Sequence, residues 1–74
     1  MQLSTRNFPQ YAHEYFGGDV QSYSFHRTGH MTYEIRQVPH WLSPRVVARC
    51  TAMDAREARN VFCDMARDSD KRYA

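Results

Sequence analysis

The residue order predicts an α+β domain: a short helix, three strands paired as an antiparallel sheet, and a longer helix, both helices lying on one face of the sheet. Three observations carry this. Aromatic residues near the start recur at helical spacing. Two alternating runs then flank a glycine-containing turn. Finally, alternation over 45–52 gives way, at Asp54, to a stripe with helical period.

The first helix is expected over 8–16. Phe8, Tyr11, Ala12, Tyr15 and Phe16 fall at i, i+3, i+4, i+7 and i+8. Pro9 suits a first turn, and Gly17-Gly18 stops the helix. So short a helix does not persist alone, so its apolar stripe must lie on something.

Strands are expected over 20–27 and 31–38, with Tyr23 and Phe25 on one face of the first and Met31, Tyr33 and Ile35 on one face of the second. A two-residue Thr28-Gly29 loop would set Phe25 against Thr32 and mix the faces. A three-residue Thr28-Gly29-His30 loop sets Phe25 against Tyr33 and Tyr23 against Ile35, keeping one wet and one dry face. Pro39 to Pro44 is a stiff connector. The third strand, 45–52, alternates Val46, Ala48 and Cys50 with Val47, Arg49 and Thr51.

The second helix is expected over 54–68. Asp54 offers a carboxylate to the free N–H groups of the first turn, and Glu57 can reach back. Ala58, Val61, Phe62 and Met65 form its stripe, and the charged tail 69–74 is expected to fray. Both stripes then bury against Tyr23, Phe25, Tyr33, Ile35, Val46 and Ala48. The opposite sheet face, with Ser22, Ser24, His26, Thr32, Glu34, Arg36, Val47 and Arg49, is polar enough to meet water.

The 74 residues are read as one domain, 1–74, near the size at which a single core is only marginally stabilising. No apolar run approaches bilayer length, and the first residues lack the apolar middle of a signal peptide, so a cytoplasmic location and no membrane partner are expected. Cys50 and Cys63 are read as two buried thiols, or as one staple if strand and helix bring them together. Ten basic against eight acidic side chains give a net charge of +2, too balanced to require nucleic acid. Nine of the ten basic residues are arginine, which suits bidentate contacts at interfaces, although a bias toward arginine codons accounts for the count equally well.

No grouping points to a reaction. His26 and His30 could offer two metal ligands across the turn, but a zinc site needs three or four, so the four histidines are read as solvent-facing and no metal or cofactor is expected. A reactive thiol needs a base or positive charge and access, whereas Cys63 lies beside the apolar helix stripe and Cys50 alternates with core positions, so both are read as small buried hydrophobes. The chain is therefore read as a non-enzymatic binding protein. Trp41, braced by Pro39 and Pro44 beside His40, is an interface anchor if exposed and a lid on the core if turned inward. With Arg36, Arg45 and Arg49 it would form an aromatic–arginine patch suited to macromolecular contact. Arg56, Arg59 and Arg67 stand among acidic residues on the outside of the long helix, the usual pattern of a solvated face.

Gly29-His30 in the first turn and Ala55-Arg56-Glu57-Ala58-Arg59 at the opening of the last helix, in the order α–β–β–β–α, resemble the double-stranded RNA-binding domain. That family has Gly-Pro-x-His and Lys-Lys-x-Ala-Lys at these places. The resemblance implies an alternative function as a nucleic-acid-binding module using His30, Arg56 and Arg59. The turn lacks the proline, and Val61, Phe62 and Cys63 stand where that family has small residues. In size and character, a small arginine-rich chain with no cofactor motif also resembles the inhibitor proteins of phages and mobile elements, anti-CRISPR proteins among them. That resemblance implies a host protein or ribonucleoprotein complex as partner, blocked by protein–protein contact in the host cytoplasm, and assigns no residues.

Overall fold

The computed structural model describes residues 2–18, 22–38 and 43–73. The elements run β1 (Gln2–Leu3), α1 (Gln10–Gly17), β2 (Tyr23–Gly29), β3 (Thr32–Gln37), β4 (Arg45–Thr51) and α2 (Ala55–Tyr73). The expected helix, three antiparallel strands and helix are all present, with the helices packed on one face of the sheet. Two residues of β1 add an edge beside β2, so the antiparallel sheet has four strands in the order β1-β2-β3-β4. Two residues carry no periodicity, so sequence patterning could not announce β1.

The helix starts follow local chemistry. At α1 the Pro9 carbonyl accepts from Ala12 and His13 N–H at 3.0 and 3.1 Å. At α2 the Asp54 carboxylate accepts from Glu57 N–H at 2.9 Å, as its position suggested. Gly18 closes α1 with φ of 54°, a conformation that glycine adopts without strain, and its N–H donates to the Glu14 carbonyl at 2.9 Å. The backbone of α2 is helical to Tyr73, beyond the end expected at 68. No glycine or proline interrupts 65–73, so nothing there ends the hydrogen-bond ladder.

The hairpin preserves the expected parity but shifts its register by two residues. Phe25 faces Ile35, Tyr23 faces Gln37 and Arg27 faces Tyr33. The shift arises because the turn is made by His30 and Met31, with Met31 at φ 61° and Thr28 bulged out of the ladder. A second irregularity falls in β4. Ile35 pairs with Ala48, but Arg36 pairs with Val46, leaving Val47 as the extra residue. This bulge reverses the faces of the start of β4. Val46, expected in the core, lies on the outer face and is exposed, while Arg45 pairs with Gln37 on the inner side.

The core is narrower than the apolar stripes suggested. On α1 Ala12 and Phe16 are buried, with Phe8 buried just before the helix begins; on α2 the buried line is Ala58, Phe62 and Ala66. Tyr11, Val61 and Met65 are half-buried on the flanks, and Tyr15 is exposed. The α2 line is an i, i+4, i+8 ridge of small, large and small residues, and it faces Ala12 and Phe16 of α1 with Phe8 beside them. Between the ridges and the sheet, Phe62 stands edge-on to Phe16 and to Phe25, with ring centres 5.8 and 5.7 Å apart.

One buried polar residue ties these layers together. Gln37 Nε2 donates to the Phe16 and Gly17 carbonyls at 3.1 and 2.9 Å, two of the acceptors that the end of α1 leaves open. Its Oε1 accepts from Arg45 Nη2 at 3.1 Å.

Phe62→Ala is expected to cost about 3–5 kcal/mol, the range for truncating a buried phenylalanine. Because that is comparable with the whole stability of a small domain, urea titration should show the variant largely unfolded. A shift of only a few tenths of a kcal/mol would contradict the packing described. Gln37→Leu is expected to cost about 1–3 kcal/mol by leaving the α1 carbonyls unpaired. Hydrogen exchange should report the loss as faster exchange in the last turn of α1, and unchanged exchange there would show that Gln37 is not its cap.

Candidate functional site

The helices cover one face of the sheet only. The other face presents a cross-strand row of His26, Glu34 and Arg49, flanked by a row of Ser24, Arg36 and Val46. Glu34 is the centre of this surface. Its carboxylate accepts from Arg36 Nε at 2.6 Å through Oε1 and from Arg49 Nε at 3.3 Å through Oε2. Covered by these neighbours, Glu34 is only 6% exposed although it is on the outer face. Burial by itself would raise its carboxyl. The hydrogen bonds and charges of Arg36 and Arg49 outweigh that and hold it below the usual glutamate value.

One carboxylate thus fixes two arginines, and the pair keeps a surplus positive charge. The Arg49 side chain remains 74% exposed, so its unshared N–H groups face outward in a set orientation. His26 lies in the same row and shares a hydrogen bond with Ser24 through Nε2. Desolvation first, and then the positive Arg36, lower its pKa, so it is neutral at pH 7. Beside the arginines, the bulge brings Val46 and Val47 to the surface, 38% and 39% exposed, on β4, one edge strand of the sheet among the described residues.

The expected site residues are not all brought together. Arg36 and Arg49 share this surface. Arg45, expected with them, is on the inner side and engaged with Gln37, because the bulge changed its face. His40 and Trp41 lie outside the described residues. His30 is exposed in the hairpin turn, which touches the segment before α2 through the Ala52 N–H to Met31 carbonyl bond of 3.0 Å. Arg56 is exposed on the first turn of α2 beside Glu57, whereas Arg59 is half-buried and faces the start of α1.

Two histidines depart from the solvent-facing expectation, while His30 meets it. His13 is half-buried and hydrogen-bonded through Nδ1 to the Tyr23 hydroxyl, and His26 is half-buried against Ser24; the reason in each case is a polar neighbour supplied by packing. Burial pushes the Tyr23 phenol up to about 12, helped by Cys63, with a hydrogen bond to Thr5 opposing. Cys50 and Cys63 are free and half-buried rather than fully buried. Both thiols are raised, chiefly by desolvation, and are therefore protonated at neutral pH. Among the described residues, no three His, Cys, Asp or Glu side chains converge as metal ligands, and no helix is long and apolar enough to cross a membrane.

Sequence reasoning placed Glu34 only as one polar residue among several on a wet face. Its one available signal was the Glu34-x-Arg36 spacing, which puts both side chains on the same face of a strand. Because its pKa is lowered on folding, Glu34 contributes stability that is complete above the ordinary glutamate pKa and is lost as pH falls through the lower folded value. Glu34→Gln is therefore expected to lower stability at neutral pH by about 1–2 kcal/mol, the exposed Arg49 limiting the gain. Urea midpoints measured from about pH 6 to about pH 3 should then fall more steeply for the wild type than for the variant. Parallel profiles would mean that the two arginines do not stabilise the carboxylate.

Comparison of the chain with known protein families, with curated proteins and with solved structures finds no match.

Proposed function

We propose that the chain is a non-catalytic binding protein whose partner is another protein, engaged through the uncovered face of the sheet and its β4 edge. The supporting observation is the Glu34-centred pair of arginines beside Val46 and Val47. Oriented guanidinium groups around exposed apolar side chains suit a protein surface, where arginine is enriched and a small apolar centre is closed off by a polar rim. The arginines are held before any partner arrives, so little side-chain freedom is lost on contact.

In its sharper form, the partner belongs to a host defence complex that the protein blocks, as the small inhibitors of phages do. The support for that is the short arginine-rich chain, with its +2 charge and no cofactor motif. Nucleic-acid binding is less well supported. The Asp54 carboxylate already caps the α2 start, Glu57 stands beside Arg56, and Arg59 faces α1, so the three residues of that reading offer phosphate no common basic surface.

Affinity capture from a host lysate with three baits tests the reading. A protein partner retained by the wild type and by Arg56→Ala, but weakened about tenfold or more by Arg49→Ala with Val46→Ser, is the expected result. Thermal melting should leave Arg56→Ala close to wild type and the double variant folded but somewhat less stable, since none of the three side chains is in the core and only Arg49 contacts Glu34. Equal retention by all three baits, or capture that disappears on nuclease treatment, would overturn it.

A further inference from the structure

On the helical side of the molecule, away from the sheet face, α2 and the segment entering α1 enclose an open groove of about 710 Å³. Its lining is rich in hydrogen-bond donors. Arg59, Asn60, Cys63 and Arg67 come from α2, and Asn7 and Tyr11 come from the other wall. Arg67 is positioned, not loose: Nη2 donates to the Tyr11 hydroxyl at 3.1 Å, and the guanidinium carbon lies 5.6 Å from the centre of the Tyr11 ring. Its contact with Asp64 is long, 4.0 Å, so the charge is only partly offset. Arg59 is half-buried, yet among the described residues it has no hydrogen-bonding or ion-pair partner. Its guanidinium carries five donors and no acceptor, and an anion is the ligand that meets them best.

We propose that this groove binds a small anion bearing at least two carboxylate or phosphate groups. Arg59 and Arg67 are eight residues apart on α2, about 12 Å along its axis. With Arg67 held at Tyr11, the long Arg59 side chain can bend toward it along the groove, so a ligand with two charged groups engages both, whereas a singly charged anion is expected to meet one. Tyr11, Asn7 and Asn60 supply neutral donors between the two charges. The Cys63 thiol is protonated because its desolvation outweighs the lowering influence of Tyr11 and the arginines, so it adds no negative charge to the groove. Asp64, at the rim and largely exposed, is the one lining carboxylate and opposes binding. The site is independent of the proposed protein-binding surface, because it uses neither the sheet face nor β4.

Parallel nitrogen–proton NMR titrations with citrate and with pyrophosphate test this. Saturable shifts are expected at Asn7, Tyr11 and residues 59–67, with half-saturation below about 1 mM, and not at Arg36 or Arg49. Shifts with citrate alone assign the groove to carboxylate, shifts with pyrophosphate alone assign it to phosphate, and shifts with both assign it to either. Arg59→Gln is expected to weaken binding about tenfold and Asp64→Asn to tighten it about threefold. The exposed Asp64 makes that second variant a safe one to fold, so the charge logic is tested even if Arg59→Gln unfolds. Absence of saturable shifts with either anion up to about 10 mM, or no tightening in Asp64→Asn, would overturn the proposal.

Discussion

Phe62 has no exposed surface, and it meets Phe16 on α1 and Phe25 on β2 edge-on at nearly the same distance. One side chain therefore joins both helices and the sheet. In a chain this short there is no second core to take over. The constraint extends to its neighbours. Ala58 and Ala66 lie one helical turn to either side of Phe62, and both are fully buried. Larger residues there would hold α2 away from its partners, and overpacking of that kind is itself destabilising. On the α1 side the sizes are reversed, with the small Ala12 between Phe16 and Phe8, which precedes the helix. The fold depends on this complementarity of size, more than on the total amount of apolar surface.

Covering one face of the sheet with helices leaves the other face bare, and that geometry determines where binding chemistry can sit. A bare antiparallel face normally exposes its polar side chains singly to water. Here Glu34 gathers Arg36 and Arg49 around one carboxylate. The consequence is electrostatic as well as structural. The carboxylate is kept ionised, the arginines are kept in place, and positive charge remains at the rim of a patch that includes exposed valines. The bulge at Val47 contributes twice, turning Val46 outward to join that patch and Arg45 inward to Gln37. A bulge and charged residues on an edge strand also discourage indiscriminate strand pairing, so β4 is a poor template for unspecific association.

The element order, the Asp54 cap, the hairpin's wet and dry faces and the identity of Phe62 as a core residue were legible in the sequence, because each rests on short-range periodicity or on contacts within one turn. Arg36 and Arg49 as surface arginines were legible for the same reason. What was not legible depends on pairing between distant segments. A one-residue bulge leaves no local mark, yet it reversed Val46 and Arg45. The register of the hairpin followed from which residues made the turn, and Met31 accepts a left-handed conformation that its side chain does not advertise.

The sequence by itself therefore determined an α–β–β–β–α domain with two amphipathic helices and an arginine-bearing sheet face, since periodicity assigns a residue to a face without knowing its partner. Only the tertiary structure decided that Glu34 is buried between two arginines, that Gln37 caps a helix twenty residues away, and that Tyr11 and Arg67 meet across a groove. Each of these is a hydrogen bond whose donor and acceptor are brought together by packing. Hydrogen bonds are directional and short in range, so a shift of one residue in register or one turn in helix position would have paired different groups.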